Sequence, residues 1–457
     1  MVLMVFVLFA VLTIAWWGVL WFVLPVDLAA LAPPSLISLH VAPPVLALFA
    51  LLVGNQAWKW NVARKKKIRK DAKEAQEAAD LAAKAAASEA ELAQRRAVID
   101  CRAVWLAVPE TPDWFMNESP QCRILEQDAD SLRAMGRDAA LSSSLQLVFE
   151  AALLQCEALA YLPLYLLPGH AEGDEMALER VREAWQEALA AVSPEDAPAP
   201  DCRLIPASDE PLTDRIITLF ENDPAMPAMC LFGADSLLDK AAAGIKPGHA
   251  VAALILSRPS LTLTETDIIE KPDLSNPYLP HWEREQGYKD APQWGKVPPR
   301  LRKNLWSLSP VAALHRSRAL NFQGEAVRPA KGRQQFHALI ENVLVDAALR
   351  EPDGKAKETE PPELEFLFHN CGADNAPATN DKLTPVFAAL RRFDYWMKSD
   401  RAKNVLTEQG DTGTACPALM LAEATMCAAM TQMPVMVVDS GGADRLSIGV
   451  VRPAAGT

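Results

Sequence analysis

Eight cysteines are the strongest nucleophiles in this chain, and one of them, Cys371, lies two positions after a histidine, His369. A thiolate attacks an acyl carbon readily, and a nearby imidazole can take the thiol proton, so the pair is a candidate for thiol-based acyl transfer. Asp411, in the loop Gly410-Asp411-Thr412-Gly413-Thr414-Ala415, is a third candidate catalytic group. Cys101, Cys122, Cys156, Cys202, Cys230, Cys416 and Cys427 show no CxxC and no Cys/His pair at zinc-finger spacing, so no metal or other cofactor is expected. Several lie in apolar stretches, where cysteine packs as a small hydrophobe, and reduced thiols are the simplest reading. The chain has no GxxxxGK[ST], no GxGxxG after a strand, no HExxH and no GxSxG, so nucleotide, zinc-protease and serine-elbow chemistries lack their opening residues. His170 and His249 are lone loop histidines.

The elements that would position these groups occur twice. The second copy reads strand (404–408), polar loop (409–414), Ala-rich helix (417–431), strand (433–439), turn, strand (446–452), and closes on Arg452-Pro453. The first reads strand (203–206), polar loop, helix (211–222), strand (226–232), loop, strand (250–258), and closes on Arg258-Pro259. A further strand and helix precede each copy, 159–167 with 176–192 and 364–368 with 381–397. A period above a hundred residues predicts a duplicated domain rather than a solenoid.

With His369-Asn370-Cys371-Gly372-Ala373-Asp374, Gly410–Ala415, Phe232-Gly233-Ala234-Asp235 and the run Pro247 to Leu256, this order resembles the thiolase and β-ketoacyl synthase superfamily. The resemblance spans about Ser142 to Pro453 and implies an α/β fold, a duplicated thiolase-like layered sandwich. It also implies a cysteine nucleophile at the start of the first-half helix. That turn is Pro206-Ala207-Ser208-Asp209-Glu210-Pro211 and has none, while Asp411 stands where the family has a histidine. Asp209 and Glu210 would raise the pKa of any neighbouring thiol. Asp209 and Asp411 share one position in the two repeats, where helix capping is a sufficient role.

Ahead of the duplication, Val2–Leu24 is uncharged and long enough to cross a bilayer, and Leu36–Trp58 is a second candidate despite Pro43-Pro44. A cleavable signal peptide is the alternative for the first. The run Arg64-Lys65-Lys66-Lys67-Ile68-Arg69-Lys70 follows directly and predicts two inner-membrane spans with the C-terminal domain in the cytoplasm. Net charge is −13, and residues 101–457 carry 34 Lys and Arg against 50 Asp and Glu, a surface that repels nucleic acid. Asp71–Ile99, rich in Ala, Glu, Lys and Gln, predicts a helical stalk, with a disordered tether as the alternative. Its alanines are too small to drive tight coiling, so a homodimer through it is a secondary expectation.

Domains are expected at 1–60 (transmembrane hairpin), 61–99 (linker), 100–260 (first half), 261–330 (a Pro/Trp-rich arm) and 331–457 (second half). Trp282, Trp294 and Trp306 punctuate the arm and are candidate partner-binding anchors; packing over its own sandwich is the competing role. The two spans ending in Trp58-Lys59-Trp60, the basic run, and the blocks His369–Asp374 and Gly410–Arg452 resemble the type VI secretion lipase adaptor proteins. That resemblance implies a non-catalytic adaptor that binds a phospholipase effector and delivers it to the secretion spike. The rivals are a membrane-anchored thiolase-superfamily acyl-transfer enzyme and an acyl-chain or lipid-binding scaffold.

Overall fold

The computed structural model of the chain describes residues 2–23, 32–170, 172–192, 199–238, 244–261, 294, 296–321, 329–352, 364–374, 377–395, 397, 399–441 and 445–454. They divide into two units, Met1–Glu91 and Leu92–Thr457. Helices α1 (Val2–Phe22) and α2 (Pro33–Arg95) make up the first unit, apart from the last turn of α2. α2 runs unbroken through Pro43 and Pro44, and Trp16 Nε1 donates to the Leu39 carbonyl at 2.8 Å. By length and composition both helices could span a membrane, and their apolar stretches are almost wholly exposed. Beyond Trp58 the helix turns polar, with i,i+4 pairs Lys70–Glu74 and Lys73–Glu77 of the kind that support an exposed helix.

The second unit is built in chain order from β1 (Val98–Val108), β2 (Cys122–Glu126), α3 (Ala129–Met135), α4 (Arg137–Gln155), β3 (Leu164–Leu166), α5 (Asp174–Val192), β4 (Cys202–Leu204), α6 (Leu212–Asn222), β5 (Ala228–Ser236) and β6 (His249–Ser257). It continues with α7 (Pro299–Ser307), β7 (Ala312–His315), β8 (Arg318–Asn321), α8 (Pro329–Asp346), β9 (Phe366–His369), α9 (Pro377–Arg392), β10 (Ala402–Asn404), α10 (Val405–Glu408), α11 (Cys416–Thr431), β11 (Val435–Asp439) and β12 (Arg445–Pro453).

The hydrogen-bonded path β10-β9-β11-β12-β7-β1-β6-β5-β3-β4 reads the same from either end. In each half the strands lie in the order third, second, fourth, fifth, first. The second is parallel to its two neighbours, and the fifth runs antiparallel to both of its own. The first strands of the halves meet at the centre, Val98 opposite His315 through Cys101 opposite Ala312. β5 and β6 are buried at every position, as strands covered on both faces must be.

Three cores account for five layers. α4 and α5 pack one outer face around Phe149 and Trp185, while α8 and α9 pack the other around Phe336, Ile340 and Val386. Between the half-sheets lie α6 and α11, whose side chains share one core with strands of both halves. α11 is buried around its whole circumference because it is enclosed on all sides. With the turn before it, Gly413–Thr431 is long and apolar enough for a membrane span, yet 72% of that apolar window is buried inside the protein.

Some boundaries differ from the sequence reading. Of the stretch 404–408 only Asn404 is extended and Val405–Glu408 is helical, because Asn404 ends β10 by accepting the Leu406 N–H at 3.2 Å. Within 159–167 only Leu164–Leu166 is strand, preceded by a 3-10 turn at Glu157–Tyr161. The stretch 261–330, read as an arm, contributes α7, β7 and β8 to the body.

Candidate functional site

In each half the third strand leads into a helix of the central layer, and the starts of α6 and α11 come together. A cavity of about 30 Å³ lies between them, walled by Leu212, Thr213, Met420, Leu421 and Asp439. That is room for about one water molecule. A more polar recess of about 230 Å³ adjoins it, with Ser208, Glu210, Arg215, Thr414 and Arg445 on its walls.

The first-half turn Pro206–Pro211 brings no thiol to this place. Ser208 Oγ accepts the Glu210 N–H at 3.0 Å, and the residue preceding α6 is Pro211, with no side-chain cap. Asp209 therefore does not cap the helix. Asp411 fits its expected role better: its Oδ1 accepts the Gly413 N–H at 3.0 Å, closing the turn that leads into α11.

His369 and Cys371 stand together at the end of β9, but not as a nucleophile and its base. The His369 ring accepts the backbone N–H of Cys371, Nδ1 at 3.5 Å. Burial pulls the His369 imidazole down to about 4 and pushes the Cys371 thiol up to about 12. Both shifts favour the neutral forms and so disfavour proton transfer from that thiol to that base. The intervening Asn370 bridges outward: its Nδ2 donates to Asp439 Oδ1 at 2.7 Å, and its Oδ1 accepts the Ser440 N–H at 2.6 Å.

Sequence reasoning missed Cys416 as a site residue. It opens α11, the second-half counterpart of the helix expected to carry a nucleophile, and Asn370 Nδ2 lies 3.6 Å from its Sγ. Its place after the loop Gly410–Ala415 was the available signal. Burial pushes this thiol to about 12 as well, although the Asn370 contact acts in the opposite direction.

The glycines that carry the resemblance lock the halves together. A Cβ on Gly233 would sit 2.5 Å from the Ala418 Cβ, and one on Gly248 would sit 2.6 Å from the Gln409 carbonyl. Gly410, at φ 81°, approaches Pro247 equally closely, and Pro247 pairs with Asp411 as an isolated bridge. Asp235 completes the clasp by accepting the Thr414 N–H at 3.0 Å and hydrogen bonds from Thr414 Oγ1 and Arg137. Burial alone would raise the Asp235 carboxyl, but these bonds outweigh it and hold the group below its ordinary value. His170 meets Thr414 Oγ1 at 3.3 Å, and His249 Nε2 meets Ser144 Oγ at 2.8 Å; neither is a loose loop histidine.

The tryptophans divide. Trp282 lies outside the described residues. Trp294 cannot dock a partner, since it is 0% exposed in the outer core of the first half with Arg302 stacked 5.8 Å from its ring centre. Trp306, on α7, is 46% exposed. α7 itself is tied down: Asn304 Oδ1 accepts the Ala158 N–H at 3.2 Å, and Arg102 donates to the Leu308 carbonyl at 2.6 Å.

No family model matches the chain, and no curated protein matches it. Among solved structures it is similar to ChlB3, an acyltransferase, with 11% identity and a TM-score of 0.41 over 78% of this chain and 98% of the other. It is similar to the peroxisomal 3-ketoacyl-CoA thiolase of Saccharomyces cerevisiae, with 9% identity and a TM-score of 0.41 over 79% and 98%. A third is 3-oxoacyl-[acyl-carrier-protein] synthase III from Aquifex aeolicus, with 10% identity and a TM-score of 0.37 over 78% and 99%. The yeast thiolase is described as five-layered and constructed from two core domains of identical topology. In this chain, strand order and core packing give two halves of like strand order arranged in five layers.

Proposed function

We propose that this body binds a partner rather than turning over an acyl substrate, and that the chain is a membrane-tethered adaptor. The observation that carries this reading is the turn Pro206–Pro211: a thiolase-like scaffold reaches its central layer there with no thiol in the turn. The finer reading, an adaptor that takes a phospholipase effector to a type VI secretion spike, rests on the sequence resemblance. Placement of residues 61–457 on the cytoplasmic side rests instead on the basic run Arg64–Lys70 directly after the second apolar stretch. Capture from a lysate of the native host, read by mass spectrometry, tests the partner. Recovery of a phospholipase with a spike protein supports it, and recovery of acyl carrier protein alone defeats it.

The arm supplies a sharper arm of the same experiment. Trp306→Ala removes an exposed ring and should lower partner recovery severalfold while leaving the melting temperature unchanged. Trp294→Ala should instead destabilise the fold by about 3–5 kcal/mol, as loss of a buried aromatic does. Equal recovery with Trp306 and with Ala at that position removes α7 as the docking surface.

The second reading is a membrane-anchored acyl-transfer enzyme or acyl-binding scaffold of thiolase type. It draws on the fold and on Cys416, a thiol at the first turn of α11 with an amide donor 3.6 Å away. Its difficulty is the depth of both thiols, Cys371 and Cys416, whose burial favours the protonated form.

A further inference from the structure

The recess of about 230 Å³ beside the starts of α6 and α11 receives one guanidinium group from each half of the body. Side chains alternate along β12, so Leu446, Ile448 and Val450 enter the outer core of the second half while Arg445 and Ser447 turn the other way and reach the recess. Arg215 comes to the same wall from the first turn of α6, in the first half.

These donors are open. Arg445 makes no hydrogen bond or ion pair with any described residue, and its stem lies along Gly441, whose Cβ would meet the Arg445 Cδ at 3.4 Å. Arg215 has a single long contact, Nη2 to the Ile205 carbonyl at 3.4 Å. Burial, and then the charge of the nearby Arg445, press the Arg215 guanidinium below its ordinary value, a penalty that a bound anion offsets. Independently of the arginines, Ser447 is 7% exposed and its hydroxyl bonds to no described residue, although it borders both this recess and the smaller cavity beside it. A hydroxyl this enclosed ordinarily has a partner.

The acceptors on the wall are differently placed. Asp439 Oδ1 accepts from Asn370 Nδ2 at 2.7 Å, Thr414 Oγ1 donates to Asp235 at 3.1 Å, and Glu210 is exposed; neither carboxylate forms an ion pair with Arg215 or Arg445 among the described residues. Neither helix start is capped by a side chain, which adds unfilled N–H groups of the same polarity. Two forked guanidinium groups and a free hydroxyl match the oxygens of a phosphate or carboxylate. We propose that the recess binds a small oxyanion, a phosphate or carboxylate group seated on Arg215 and Arg445 with Ser447 donating to it. The inference does not depend on the adaptor reading.

The test uses the full-length protein in non-ionic detergent micelles with chloride as the background anion, titrated calorimetrically with inorganic phosphate, with succinate and with spermidine as a cation control. Saturable binding of phosphate or succinate is expected, weakened about tenfold or more by Arg445→Gln and by Arg215→Gln, severalfold by Ser447→Ala, and unaffected by Arg123→Gln at an exposed position of β2. Removing the carboxylate on the wall should act the other way, so Glu210→Gln tightens the same anion. Phenylglyoxal should modify Arg445 in the free protein, and the saturating anion should protect it, read by peptide mass spectrometry. Tighter phosphate assigns the site to a phosphoryl group, and tighter succinate assigns it to a carboxylate. Should Arg215→Gln fail to fold, Arg445→Gln decides, because no described residue bonds to the Arg445 guanidinium. Absence of saturation by either anion, binding that survives both arginine substitutions, weaker binding in Glu210→Gln, or preference for spermidine overturns the proposal.

Discussion

Among single residues, Glu423 is the most consequential group that plays no part in the candidate site. It lies in the middle of α11, is 0% exposed, and neither carboxyl oxygen has a hydrogen-bond partner. Its polar neighbour Gln409 donates Nε2 to the Glu110 carbonyl at 3.1 Å, which leaves the unpartnered Gln409 Oε1 as a second acceptor. Burial, with Glu408 adding to it and Gln409 opposing it, raises Glu423 well above the ordinary carboxylate range, so the carboxyl keeps its proton. A raised folded pKa means that nothing is lost at low pH, where the acid is neutral in both states. Stability then falls as pH rises from the unfolded carboxylate range toward the folded pKa, by up to about 1.4 kcal/mol per pH unit. Glu423→Gln should therefore raise the melting temperature at pH 8 and leave it nearly unchanged at pH 4, read by thermal denaturation across that range. An equal shift at both pH values would show that the carboxyl is not the titrating group. None of this was legible in the sequence, where Glu423 is one glutamate in an Ala-rich helix; its burial depends on a sheet from each half closing over it.

At the level of elements, the duplication was readable and the lock between its copies was not. The long helices and fully buried strands announce themselves through apolar runs, so α5, α6, α11, β6 and β12 fall close to their expected places. Short elements set by one side chain do not, and Asn404 turning the chain into α10 is the clearest case. The glycine-bearing motifs Phe232–Asp235 and Pro247–Ala250 were legible as motifs, but their physical role lies in contacts with Gln409, Asp411, Ala415 and Ala418 in the other half. Gly233→Ala should accordingly destabilise the protein by about 1–3 kcal/mol through overpacking, without touching any candidate catalytic group. Chemical denaturation measures it, and a change below about 0.5 kcal/mol would mean that the clasp yields freely. The partition of the tryptophans was equally invisible from composition: Trp294 and Trp306 lie in the same Pro-rich text, and only the packing of α7 buries one and exposes the other.

The whole molecule joins two apolar N-terminal helices and a basic run to an acidic, duplicated α/β body. Alkaline phosphatase fused after Thr457 should be inactive in an exporting bacterium if the basic run holds the body in the cytoplasm. High activity of that fusion would reverse the orientation while leaving the fold untouched. The proposal that the body has no acyl-transfer chemistry is checked by intact-mass spectrometry of the purified full-length protein after incubation with a long-chain acyl-CoA. An unmodified mass is expected for the native protein and for His369→Ala and Cys371→Ala alike. A stoichiometric acyl adduct on Cys371 or Cys416 that disappears in His369→Ala would contradict it and make the protein an acyl-transfer enzyme.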